Sequence, residues 1–266
     1  MERLRNAVRA YAWGSRTAIA SLQGRPVPSP GPEAELWIGA HPGDPSRLER
    51  DGTPLTEVIA AAPESTLGAA ALARFGPRLP YLVKLLAAAE PLSLQAHPDP
   101  ARAAEGFAAE EAAGVPRDAP HRRYVDPHHK PELLVAVTEF RALCGFREPE
   151  AAADTLAELE VPALAQVVAW LRDGKLGQAV RTLLEWPAPQ RADLVSEVVA
   201  AAASRPEHAL AVELAAAYPD DVGVVVALLL NHVVLAPGEA IFMPAGNLHA
   251  YLSGVGVEVM AASHNV

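Results

Sequence analysis

Val255-Gly256-Val257-Glu258-Val259-Met260 decides the fold. Valine recurs at every second position, so one face is apolar and the other carries Gly256, Glu258 and Met260. That is the period-two pattern of a half-buried strand. Reading backward, Pro244-Ala245-Gly246 is a turn before His249-Ala250-Tyr251-Leu252, and Ala236-Pro237-Gly238 is a turn before Glu239 to Met243. The end of the chain is therefore read as short strands joined by tight turns, with strands resuming at Val222.

Upstream, from about Glu148 to Tyr218, the period changes. Leu176, Val180, Leu183 and Leu184 lie at i, i+4, i+7 and i+8, one face of a helix. Leu194, Val195, Val198, Val199 and Ala202 make a second such face, and Asp154 and Asp173 are candidate N-caps. Further upstream the pattern is extended again. Glu35-Leu36-Trp37-Ile38-Gly39, Tyr81 to Leu86 and Leu92 to His97 read as strands, whereas Leu55 to Ala62 and Ser65 to Phe75 are Ala- and Leu-rich and read as helices. Arg25 to Pro32 and Gly114 to Pro127 are loops. The expectation is a mixed α and β protein in three stretches: residues 1–147 β-rich, 148–221 helical, and 222–266 β-rich again. The β-rich parts would join into one barrel or sandwich, with the helices to one side.

The chain has 266 residues, half of them hydrophobic and a fifth charged, with a formal net charge of −10. That charge disfavours non-specific binding to nucleic acid or to an anionic membrane, so neither partner is expected. An anionic ligand would need a locally basic pocket, and only three lysines could help the arginines build one: Lys84, Lys130 and Lys175. Cys144 is the only cysteine, which excludes an internal disulfide and fits a reducing compartment. Met1-Glu2-Arg3-Leu4-Arg5 leads into no apolar signal core, and the apolar run Val222 to Leu230 is too short to span a bilayer. A cytoplasmic location is expected.

Three segments carry candidate chemistry. On a strand, Ser93, Gln95 and His97 share one face while Leu94 and Ala96 take the other, which suits the wall of a wet cavity. In His128-His129-Lys130-Pro131-Glu132, Pro131 forces Lys130 towards an extended conformation, so Lys130 and Glu132 face the same way. His249 follows the Pro-Ala-Gly turn. Two histidines, a carboxylate and an amide oxygen make a reasonable zinc set, although each residue alone would more simply be a surface group or a satisfied polar contact. A strand lysine reaching out to solvent is the simpler alternative for Lys84.

What joins these residues is a resemblance. Tyr11-Ala12-Trp13-Gly14, Glu35 to Pro42, Leu79 to Lys84 through Gln95 to Asp99, His129 to Glu132, and Leu235 to Glu239 through His249 to Ala261 together resemble type I mannose-6-phosphate isomerases (phosphomannose isomerases). The blocks run in the family's order over nearly the whole chain. The resemblance implies a cupin catalytic domain, a jelly-roll-like β-barrel of the kind that often carries metal-binding histidines beside such turns, with an inserted α-helical domain. It implies one zinc ion per chain, a sugar phosphate as substrate, a monomer, and interconversion of mannose 6-phosphate and fructose 6-phosphate. Gln95, His97, Glu132 and His249 fall at the zinc-ligand positions. Ser93 and Lys84 fall where substrate is met, with Glu258 as a further pocket carboxylate. Lys130 or His129 would move the proton.

Family members continue beyond the equivalent of Val266 into a block with an active-site arginine and a second barrel-like domain, and His264 stands where they more often show an acidic or amide residue. The expectation is a C-terminally truncated member. A second reading follows from the missing arginine: a cupin that binds sugar phosphate without turning it over. A third, an iron-dependent oxygenase on the same scaffold, is disfavoured by the glutamine ligand.

Overall fold

The structure is a computed structural model and describes residues 2–265. Its centre is the strand His249–Ala261, which changes partners along its length. From Gly254 to Ala261 it pairs antiparallel with Tyr81–Ala88 on one side, and from Gly256 to Met260 with Glu132–Ala136 on the other. From His249 to Ser253 it pairs instead with Phe140–Phe146, which pairs in turn with Leu230–Leu235. The register breaks between Tyr251 and Ser253. Gly254 makes the break possible: its φ is +124°, and a Cβ there would sit 2.6 Å from the Glu139 carbonyl oxygen. Only glycine lets the strand bend and pass its neighbour so closely.

The larger sheet runs Ala7–Arg9, Glu35–Gly39, Tyr81–Ala88, His249–Ala261, Glu132–Ala136, Ala240–Met243. Its alternation creates an inner and an outer face. Leu86, Leu134, Phe140, Leu235, Met243 and Tyr251 fill one end of the interior as an apolar cluster. The shared strand also ties the barrel to the helices. Ala250 and Leu252 turn away from the interior and join Leu143 in a second cluster built from Pro149–Ala157, Ala165–Arg172, Leu176–Leu184, Arg191–Ala202 and Ala209–Ala217. The second expected helical face packs there through Leu194, Val195, Val198 and Ala202, with Val199 partly buried; of the first, Leu183 is buried, Leu176 and Val180 are partly buried, and Leu184 faces solvent instead.

The structure corrects three readings. Val222 does not begin a strand. Gly223–Ala227 is helical and the strand starts at Leu230, because Val224 through Leu230 are all buried and a run buried on every side shows no two-residue period. Asp173 ends a helix rather than starting one, and Asp154 lies inside Pro149–Ala157, whose start is set by Pro149 at its first position. Leu92 to His97 is extended but is not a full strand. Leu92 N–H donates to the Tyr251 carbonyl, and Gln95 and His249 exchange backbone hydrogen bonds at 2.8 and 2.9 Å.

Directly after this segment, the Asp99 carboxylate accepts the Arg102 N–H at 2.8 Å and caps the helix Pro100–Ala112, with Pro100 at its first position. Replacing Asp99 with Ala is expected to lower stability by about 1 kcal/mol. Chemical denaturation would read this as a lower midpoint at unchanged slope, and an unshifted midpoint would refute the capping role.

Candidate metal centre

Strand register places the site. On the inner face of the larger sheet, Trp37 lies opposite Lys84, Lys84 opposite Glu258, and Met260 opposite Glu132. Pro131 does what its position requires: the Lys130 and Glu132 side chains share a face, with Nζ 3.8 Å from Oε1. His249 opens the long strand just beyond the turn at Gly246, and Gly246 N–H donates to the His97 carbonyl at 2.6 Å. That bond holds the His97 loop against the turn, so two residues far apart in sequence meet side by side. Their rings lie 5.2 Å apart.

The meeting point is Glu132. His97 Nε2 is 3.0 Å from Glu132 Oε1, and His249 Nε2 is 3.2 Å from Oε2. Ligand atoms of His97, Glu132 and His249 all lie within 4.8 Å of one another, and the three residues are buried. His249 Nδ1 is 3.0 Å from the Asn247 carbonyl, so the neutral ring carries its proton there and keeps a lone pair on Nε2. His97 is the revealing member. Neither of its ring nitrogens has a hydrogen-bond partner among the described residues, and its Nε2 stands close to the carboxylate without the alignment of a hydrogen bond. Two imidazoles and a carboxylate aim lone pairs at one point. A buried nitrogen left unsatisfied there is costly unless something else fills the gap, and a divalent cation fits that donor set.

Electrostatics separate the groups. Burial lowers the His97 imidazole. For His249 burial acts the same way, but the Glu132 carboxylate outweighs it and the net shift is upward. Glu132 would be raised by burial, yet its contacts with both histidines hold it well below the usual carboxylate range. Burial lowers Lys130, assisted by the positive charge of Lys84 and opposed by Glu132. Lys84 goes the other way: burial opposes its charge, but Glu258 and Glu35 hold it on.

Glu132, His249, Lys84 and Lys130 line a cavity of about 420 Å³, which also takes in Ser93, Gln95 and Glu258, while His97 lies behind Glu132 and outside that lining. His129 is exposed and does not line it. The cavity includes residues that sequence reasoning passed over. Glu35 and Trp37 share the inner face of their strand, and a polar, aromatic face behind Leu36 and Ile38 was the available signal. Tyr251 shares the face of His249 two residues away. The His41 ring lies 4.1 Å from that of His264, tilted against it, and burial lowers the His41 imidazole to about 4. No local pattern distinguishes such a histidine from a surface one.

The family model for phosphomannose isomerase type I, catalytic domain, matches residues 1–149. A mannose-6-phosphate isomerase of Escherichia coli is 42% identical, over 100% of this chain and 70% of its own length. The chain belongs to the type I phosphomannose isomerase family. A relative of that name in Schizosaccharomyces pombe is 34% identical, over 100% of this chain and 68% of its own length. Among solved structures, the Salmonella typhimurium mannose 6-phosphate isomerase bound to substrate and a zinc atom superposes with a TM-score of 0.87 at 40% identity, covering 100% of this chain and 69% of that one. Another mannose 6-phosphate isomerase, bound with zinc and yttrium, gives 0.88 at 40% identity, with the same coverage. The bent shared strand and two-sheet barrel are thus the cupin fold of the phosphomannose isomerases, and a non-catalytic reading draws no support from these relatives.

Proposed function

We propose that this chain is a zinc-dependent aldose–ketose isomerase that interconverts mannose 6-phosphate and fructose 6-phosphate through an enediol. The observation that carries the reading is the unsatisfied His97, clustered with Glu132 and His249, the last two on the wall of a cavity that also holds two buried lysines. One zinc ion per chain would be held by His97, Glu132 and His249, with Gln95, which is paired backbone to backbone with His249, as the fourth ligand. Bound there, zinc supplies a Lewis acid beside the sugar oxygens.

The chain's own groups do the rest. The reaction removes the proton on C2 of the open-chain aldose, delivers a proton to C1, and moves the hydroxyl proton from O2 to O1. Lys130 is the proton carrier in this reading. It is buried in the cavity, its nearest carboxylate lies 3.8 Å away, and desolvation favours its neutral form, which can accept a proton. Its exposed neighbour His129 is left without that task. Lys84 remains an ammonium and meets the substrate with Ser93, and Glu258 backs Lys84. Action as a monomer belongs to the same reading, as does the division into a cupin part and a helical insertion at 148–221. Among the described residues no helix is long and apolar enough to cross a membrane. The single free Cys144 supports a cytoplasmic location.

The deciding test is recovery of mannose 6-phosphate from heavy water after incubation with the zinc-loaded chain. Deuterium at C2 is expected. Mannose 6-phosphate that binds calorimetrically yet acquires no deuterium would replace the isomerase with a binding protein.

Acid–base linkage gives a second check on the metal centre. In chelator-treated protein, the lowered Glu132 carboxyl stabilises the fold above the ordinary carboxylate range and stops doing so as pH falls through it. The raised His249 imidazole contributes below the ordinary histidine range and stops as pH rises through its own value. The pair therefore contributes most between about pH 4.5 and 6.5. Zinc displaces the proton on His249, so the rise in Tm on adding zinc is expected to grow as pH increases through that window. A rise of constant size from about pH 5.5 to 8 would count against imidazole ligation.

A further inference from the structure

Lys84 is clamped to the cavity wall. Glu35 Oε1 and Glu258 Oε2 each lie 3.2 Å from its nitrogen, and all three residues are buried. The carboxylates are themselves held: the Trp37 indole N–H donates to Glu35 Oε2 at 2.7 Å, and the Tyr251 hydroxyl donates to Glu258 Oε1 at 2.7 Å. The Trp37 ring also lies 5.6 Å from the ammonium, within range of a cation–π contact. An ammonium has three N–H donors. One donates to Glu35 Oε1, and Glu258 stands at ion-pair distance without the alignment of a hydrogen bond, which leaves donor capacity for the cavity.

Building on the isomerase reading of this site, we propose that Glu35 is a positioning residue: anchored by the Trp37 indole, it accepts one N–H of the Lys84 ammonium, beside Glu258, and so aims a remaining N–H at an oxygen of the sugar phosphate. The geometry divides two lysines that share one cavity. Lys84 has two buried carboxylates at ion-pair distance, whereas Lys130 has one at 3.8 Å. A fixed cation and a proton carrier need those different surroundings, and Glu35 supplies the difference. The other charged or titratable groups that act on Lys84 are Glu132 and Lys130, which oppose each other in sign, and His41, which burial keeps neutral near pH 7. Tyr251, raised well above the ordinary phenol range, adds no charge. None of them can replace the Glu35 carboxylate.

Three lysines make the test tractable. The whole chain, labelled with carbon-13 at the lysine ε position, should give one resonance each for Lys84, Lys130 and Lys175, and Lys175 is an exposed internal reference. Lys84 is expected to titrate above the ordinary lysine range, and in Glu35→Gln to fall by about one pH unit or more. In the same variant, kcat/KM for mannose 6-phosphate is expected to drop about tenfold, chiefly through KM, with its alkaline limb moved to lower pH. Glu35→Asp, which keeps the charge at shorter reach, should fall between. Trp37→Phe, which frees the carboxylate without removing it, should raise KM with little movement of the limb. If Glu35→Gln lowers only the Tm, leaving the Lys84 titration and the alkaline limb where they were, the positioning role is overturned. A chain that never turns over sugar phosphate sinks the isomerase reading, whereas an unmoved Lys84 titration sinks the clamp, so the two failures are told apart.

Discussion

Replacing Lys130 with Met is expected to abolish deuterium exchange at C2 of mannose 6-phosphate while leaving one zinc bound per chain. Methionine matches the stem of lysine and fills the same buried space, so the barrel keeps its packing. The lost group is the amine alone. General acid–base catalysis contributes about 10²- to 10⁴-fold, and exchange should fall by that factor. Stability should not fall with it. The Lys130 amine is buried and 3.8 Å from its nearest carboxylate, so that contact returns little for its desolvation. A Tm equal to or above that of the parent is therefore expected, together with unchanged zinc by elemental analysis. Exchange at the parental rate would remove Lys130 from the chemistry. Loss of zinc along with exchange would reduce it to a support for Glu132. Replacing the exposed His129 with Ala serves as the control, and its exchange rate should stay within about twofold of the parent, as expected for a side chain outside the cavity.

The difference between those neighbours shows what the amino-acid order could reveal. Pro131 dictated that Lys130 and Glu132 share a face, and alternation put Ser93 and Gln95 together on the cavity wall, although His97 does not line it with them. Both readings concern side chains two residues apart, where local backbone geometry is sufficient. That His97 and His249 meet is a different kind of fact. It depends on Gly246 bonding to the His97 carbonyl and on a strand that changes sheets at Gly254, contacts between distant segments that carry no local period. Only the family pattern joined them in advance. Glu35 and Trp37 sat in a quoted strand yet went unassigned, because their value lies in facing Lys84 across a ladder whose register the sequence does not state. The helix Gly223–Ala227 was misread for a related reason: burial on every side erases the pattern that tells helix from strand. Asp99 was read as part of a family signature, and the structure gives it a plain mechanical task as a helix cap.

Glu132→Gln should have the largest effect on metal binding, because it removes the only charge among the proposed ligands while keeping their shape. Loss of a residue that merely orients a ligand typically weakens metal affinity about 10- to 100-fold, and loss of the anionic ligand itself should exceed that. At equal added zinc, the parent Tm should rise by an amount set by ligand concentration over Kd, and the variant's should hardly move. Without zinc the variant is also expected to be the less stable protein. His249 loses the carboxylate that sustains its raised imidazole, and His97, already without a hydrogen-bond partner among the described residues, loses its nearest charge. Breaking a buried charged cluster in this way costs about 3 kcal/mol or more. The two variants should then separate cleanly: Lys130→Met keeps zinc and loses exchange, and Glu132→Gln loses zinc and exchange together. A Glu132→Gln protein that still binds one equivalent of zinc and shows the parental Tm shift would mean that the cation is held elsewhere, and that the convergence on Glu132 is a hydrogen-bonded cluster and not a metal centre.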